Sequence, residues 1–281
     1  MTLDPDSVGS SAEPYRATWT SRDAVTYALA IGAGVNELDY TTENTLGVDQ
    51  QVYPTFAAVV GHGQRAKRPS YGTFQLAKGL HGEQALTLYK PLPVKGDVTI
   101  QNTVAAMYDK GNDAVVVLEG NATDNTDGTV LFTRRTVIFI RGGGGWGGVR
   151  GPTGPRNTPP DRRPDHEVAY TTSPDQALLY RLTGDGSRIH SDPAFAAEAG
   201  FDRPTLAGLC TYGFSGRALL HTLCDGTSAR FEHIEGRFSS PVFPGETLTV
   251  RMWATEHGQA EFTTSVDDRA VITHGFFRYR S

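Results

Sequence analysis

Apolar and polar residues alternate along four stretches in each half of the chain, residues 79–90, 97–106, 113–123 and 129–140, then 229–239, 246–256, 259–266 and 270–279. A period of two over such lengths predicts long, half-buried strands. Two other stretches follow a helical period. SRDAVTYALAIGAG, from residue 21, opens on Ser21 as a cap and spaces Val25, Leu29 and nearby alanines as a helix does. TLAGLCTYGFSGRALL, from Thr205, sets Leu206, Leu209, Cys210, Phe214, Leu219 and Leu220 among Ala207, Gly208, Gly213, Ser215, Gly216 and Ala218. Apolar or small on nearly every side, it predicts a buried helix with Pro204 in its first turn. Each of its glycines costs about 1 kcal/mol in helix propensity, which implies close approach by a sheet or a ligand. Residues 1–20 read as a tail, and VYPTFAAVVG as the entry of a strand or helix.

The pattern repeats. Pro54-Thr55-Phe56-Ala57 matches Pro204-Thr205-Leu206-Ala207 at an offset of 150, and Pro91 matches Pro241 at the same offset. Tyr27-Ala28-Leu29-Ala30 likewise echoes Tyr180-Arg181-Leu182-Thr183. Self-similarity at fixed spacing predicts two copies of one unit: a first repeat at 1–140, a linker at 141–165 and a second repeat at 166–281. The linker, RGGGGWGGVRGPTGPRNTPPDRRPD, is too rich in glycine and proline for regular structure. It lacks a P-loop Lys-Ser/Thr and any strand–GxGxxG–helix setting, so it reads as a covering segment.

Composition narrows the classes. A net charge of −5 with no basic block gives no footprint for nucleic acid. No apolar run reaches membrane-spanning length, and the first residues lack the features of a secretory leader, so a cytoplasmic location is expected. Cys210 and Cys224, fourteen residues apart, would lie about 21 Å apart along one helix, too far for a disulfide; buried free thiols are expected. No HExxH, CxxC or GxSxG motif occurs, so neither a metal site nor an activated nucleophile is indicated.

The candidate chemistry lies in the loop GDGSRIHSDP. Asp185 and His190 stand five residues apart among turn-forming Gly184, Gly186 and Ser187. A carboxylate beside an imidazole can hold a water by two hydrogen bonds and pass protons near neutral pH. The blander readings are an Asx turn for Asp185 and a satisfied surface or core histidine for His190. The helix start after Pro204 adds free N–H groups near Gly208 and the positive end of the helix dipole, which suit a developing oxyanion. The first half reads AIGAGVNE where the second reads TGDGSRIH, so one active site per chain is expected. His81, in LHGEQ, reads as structural.

The run YRLTGDGSRIHSDPAFAAEAGFDRPTLAGLCTYGFSGRALL closely resembles the signature of the type 2, R-specific 2-enoyl-CoA hydratases of the MaoC-like group. YALAIGAG, LHGEQALTLYKPLP, GGWGG and FSSPVFPGETLTV extend the likeness over nearly the whole chain. The resemblance implies an α+β double hot-dog fold, two side-by-side repeats each with a helix wrapped by an antiparallel sheet. It implies cofactor-free hydration of a trans-2-enoyl-CoA to an (R)-3-hydroxyacyl-CoA, Asp185 and His190 as catalytic residues, Gly208 N–H on the thioester carbonyl, and association as a homodimer. The first repeat would accommodate long or bulky acyl groups. In that family the pattern is usually Asp-x-Asn-x-x-His followed by His-Gly-Leu-Cys; here Ser187 replaces the Asn and Ala207 the His. Arg188, Arg162 and Arg163 are candidates for the phosphates of CoA. A thioesterase on the same fold and a non-catalytic acyl-CoA-binding subunit are the alternatives.

Overall fold

The structure, a computed structural model, describes residues 2–64, 67–75, 78–153 and 156–280. The first half supplies β1 (Thr2–Leu3), β2 (Tyr15–Trp19), β3 (Gly72–Thr73), β4 (Gly79–Leu88), β5 (Gly96–Asp109), β6 (Ala114–Asp124) and β7 (Val130–Ile140). The second supplies β8 (His166–Thr171), β9 (Phe231–Phe238), β10 (Thr247–Glu256), β11 (Gln259–Val266) and β12 (Arg269–Tyr279). Ten of these form one antiparallel sheet in the order β2-β5-β6-β7-β4-β9-β12-β11-β10-β8, while β1 and β3 pair separately. The strand order of the first half recurs, reflected, in the second, and the two meet at β4 and β9, from Glu83 opposite Arg237 to Thr87 opposite His233. This is a double hot-dog.

The helices are α1 (Ser21–Ala30), α2 (Leu38–Thr41), α3 (Gln176–Tyr180), α4 (Pro193–Glu198) and α5 (Gly208–Leu223). α5 is the axis. It packs against β8, β9, β10 and β12, and Cys210, Tyr212, Phe214, Leu219 and Leu220 are buried along it. Burying each large apolar side chain is worth about 1.5–3 kcal/mol. Tyr212 donates to Ile234 O at 2.8 Å, and the Ser215 and Thr264 hydroxyls share a hydrogen bond at 2.7 Å, fixing the helix against the sheet. Its glycines are packing sites for the first half. A Cβ on Gly213 would lie 2.5 Å from Ile31 Cγ2, and one on Gly216 would lie 2.4 Å from Thr55 Cγ2. A buried ion pair completes the join: Arg217 donates from Nε and Nη2 to both Glu37 oxygens, at 2.7 and 2.6 Å, and Tyr53 donates to Glu37 at 2.7 Å.

Four sequence expectations need correction. Residues 15–19 form a strand rather than a tail, since Tyr15, Ala17 and Trp19 alternate inward and pair with β5. The cap of α1 is Thr20, in a capping box with Asp23, one residue ahead of Ser21. α5 starts at Gly208 rather than after Pro204, because Leu206 N–H bonds to Val242 O at 2.7 Å in a β-bridge that holds the chain extended. Finally, among the described residues the first half has no counterpart of α5. From Pro54 it makes only a 3-10 turn to Ala58, and then Gly61 and Gly63, with φ of +86° and +71°, take conformations that no helix continues through.

Cys210 and Cys224 are buried free thiols. The glycine-rich part of the linker wraps the end of β5, where the Asp109 carboxylate accepts from Gly145 and Gly147 N–H at 3.0 and 2.7 Å. Gly154 and Pro155 of the linker lie outside the described residues.

Candidate active site

Three neighbours of Asp185 set its position. α3 runs into a 3-10 turn, Arg181–Thr183, that ends at Gly184 with φ of +105°. A Cβ on Gly184 would lie 2.5 Å from His62 O, so only glycine lets the second half's loop seat on the Gly61–Gly63 turn of the first. Asp185 then accepts the Ser187 N–H on Oδ1 at 3.1 Å. The Asx turn and the functional reading are therefore compatible, because the local bond uses Oδ1 while Oδ2 faces His190.

His190 ends the next 3-10 turn, and its Nδ1 lies 2.9 Å from Thr205 O. A carbonyl only accepts, so Nδ1 carries the proton and Nε2 presents a lone pair. Nε2 stands 4.0 Å from Asp185 Oδ2, with side chains 17% and 25% exposed. Two acceptors at that separation suit a water that donates one hydrogen to each, given legs of about 2.8 Å.

Both residues line a cavity of about 940 Å³ between the halves, with Gly208, Leu209 and Thr211 on one wall and His62 and His81 on the other. Ala207 caps α5 without a side-chain bond, and the first intrahelical bonds run from Cys210 and Thr211 N–H to Ala207 O. Among the described residues the Gly208 and Leu209 N–H groups thus remain unpaired at the positive end of the dipole. Phe238 approaches Gly208 so closely that an added Cβ would lie 3.3 Å from its ring. Among the described residues no three His, Cys, Asp or Glu side chains converge as metal ligands would.

Residues 156–276 match the family model described as MaoC like domain, and residues 17–142 match the MFE-2 hydratase 2 N-terminal domain. The chain is 44% identical over 290 aligned positions to 3-hydroxyacyl-thioester dehydratase Y of Mycobacterium tuberculosis, covering 99% of both proteins. It belongs to the MaoC-like hydratase 2 family. It is also 36% identical to peroxisomal multifunctional enzyme type 2 of Mus musculus, over 95% of this chain and 37% of that protein. A crystal structure of a MaoC-like dehydratase from Phytophthora capsici superposes with a TM-score of 0.90 at 33% identity, covering 99% of both chains.

Within this family member the structure brings Asp185, His190, Ser187 and Gly208 to one cavity. Ala207 sits just behind the wall, buried, and offers no polar group where the family usually has His. The arginines named from sequence lie elsewhere. Arg188 pairs with Asp192 at 2.5 Å and stacks on Phe195, while Arg162 forks onto Asp165 at 2.6 and 2.9 Å and reaches Ala254 O. Neither they nor Arg163 line the cavity; Arg68 and Arg141 do.

Three residues escaped sequence reasoning. Thr205 orients His190 through its carbonyl, a role that sequence pattern does not encode. Thr211 lines the cavity with a buried Oγ1 that has no hydrogen-bond partner. His81, read as structural, packs edge-on against Phe238 at 4.9 Å between ring centroids, and its buried Nε2 likewise has no partner. The Gly82 beside it, in a bulge of β4, was the available signal.

Proposed function

We infer that this protein is a hydro-lyase that adds water across a trans-2-enoyl-CoA to give an (R)-3-hydroxyacyl-CoA, or runs the reverse dehydration, in fatty-acid or related acyl-thioester metabolism. The observation that carries the reading is the 4.0 Å gap between Asp185 Oδ2 and His190 Nε2 in the cavity that also holds the start of α5. With both water hydrogens directed at acceptors, an oxygen lone pair is left free to attack the β-carbon. As the C–O bond forms, one proton passes to the dyad and the thioester becomes an enolate. The dyad then returns a proton to the α-carbon, so that H and OH have been added and both groups are regenerated. Which of the two carries the proton is a property of the pair. Gly208 N–H holds the enolate oxygen, a contact of the kind worth about 10²–10³ in rate. R stereochemistry and homodimerisation rest on the family resemblance.

The test is loss of enoyl-thioester absorbance with trans-2-enoyl-CoA of short, medium and long chain, with the product resolved by mass and chirality. The expected product is (R)-3-hydroxyacyl-CoA. Release of free CoA would point to a thioesterase instead, and no turnover at any length to a binding subunit.

A further inference from the structure

A second cavity, of about 290 Å³, shares His62, Arg68, His81 and Leu209 with the catalytic one and extends alongside Ala58, where the first half lacks a long helix. Part of its wall is apolar, Leu118 and Ile138 among others, as a hydrocarbon chain would require. Arg134 is out of place there. It donates to Val60 O at 2.9 Å and to Tyr15 Oη at 3.0 Å, both uncharged. Among the described residues no carboxylate pairs with it, and burial, with the charge of Arg68 acting the same way, lowers its hold on its proton. Glu119, the one acid in the wall among the described residues, is opposite Arg135 in register, so its side chain alternates to the other face of the sheet.

The histidines that line the cavity are neutral near pH 7 and bring no counter-charge. Burial, helped by Arg134 and Arg68, pushes His62 down to about 3, and burial with Arg68 pushes His81 down to about 4. The buried His81 Nε2, without a partner, stands in the wall common to both cavities. Gly120 keeps the space open, since a Cβ there would lie 2.7 Å from Asn102 Oδ1 and 3.0 Å from Arg134 Nε. A buried cation whose partners are all neutral is stabilised by an incoming anion.

We propose that this cavity is an acyl subsite for a carboxylate, so that enoyl thioesters bearing a carboxyl group at the far end of the acyl chain are preferred over their methyl-ended equivalents. The proposal rests on the hydratase reading for the position of the acyl chain. The phosphates of CoA share the anionic chemistry, and thioesters of pantetheine, which lack them, separate the two sources.

Two readouts are needed: kcat/KM for trans-2-enoyl-CoA pairs of equal length ending in carboxylate or methyl, and calorimetric binding of the saturated pairs. Charge-assisted hydrogen bonds of this kind correspond to about ten- to a hundredfold in favour of the carboxylate at the length that reaches Arg134. Arg134→Met should erase the ratio. Asn102→Asp leaves the bonds of Arg134 to Val60 and Tyr15 intact, gives up the exposed bond from Asn102 Nδ2 to Lys67 O, and supplies an internal carboxylate; it should erase the ratio too in a protein that still melts cooperatively. A preference for methyl at every length, persistence of the ratio in both variants, or its loss on pantetheine thioesters would overturn the proposal. Carboxylate preference in binding without hydration would uphold the subsite and defeat the hydratase reading; hydration without preference would do the opposite.

Discussion

The two halves carry nearly the same sheet and opposite interiors. In the second, a sixteen-residue helix fills the concave face and opens its N-terminus beside Asp185 and His190. In the first, the same Pro-Thr start yields a five-residue 3-10 turn, and the space beside it is a cavity. Strand order survives because it depends on alternation and on pairing along the whole length of each strand. The helix does not, because it depends on a run that Gly61 and Gly63 interrupt. In the proposed reading one repeat supplies chemistry and the other supplies room; the two touch at Gly184 on His62 and along the glycine face of α5.

That division can be broken first at the ion pair that joins the halves. Glu37→Gln leaves Arg217 buried without its counter-charge and should cost about 3–5 kcal/mol, read as a drop in melting temperature. The same pair sets an acid limit. Burial alone would raise the Glu37 carboxyl, but the bonds from His221, Arg217 and Tyr53 outweigh it and hold it well below the ordinary 4.5. The unfolded chain therefore takes up the proton first, so this stabilisation is present above pH about 4.5 and is lost as pH falls toward the folded value. Urea midpoints measured from neutral to acid pH should fall in that window in the native protein and less in Glu37→Gln.

A smaller perturbation acts on the glycine face. Gly213→Ala drives a methyl into Ile31 and should cost about 1–3 kcal/mol, even though alanine is the better helix former. If it stabilised the protein, the close seating of α1 on α5 would be wrong. The smallest effect belongs to the surface arginines. Arg188→Ala should leave KM for an acyl-CoA within about twofold, as expected of an exposed pair, whereas Arg141→Ala, in the cavity wall, should raise it measurably.

Much of this was legible before any coordinates. The alternation marked eight of the strands, and the spacing of Asp185 and His190 within a glycine loop singled out two side chains that the structure brings to 4.0 Å. Three of the features that were not legible show why. The β2 strand is only five residues long, too short for its alternation to stand out from a tail. The start of α5 was set too early because Pro204, Thr205 and Leu206 look like a first turn, whereas the partner that holds them extended, Val242, lies 36 residues further on. The second cavity could not be read at all, since it is made by an absent helix and by Arg134 facing inward from a strand whose pattern at that point is polar.

The most direct test of the division of labour is a double-mutant cycle on the dyad, with kcat/KM for trans-2-enoyl-CoA hydration measured for Asp185→Asn, His190→Gln and the pair together. Each single change should cost about 10²-fold or more, and the double should be little worse than the weaker single, because both acceptors hold one water. Hydration near the unaltered rate in Asp185→Asn would contradict the account and move the chemistry out of this loop.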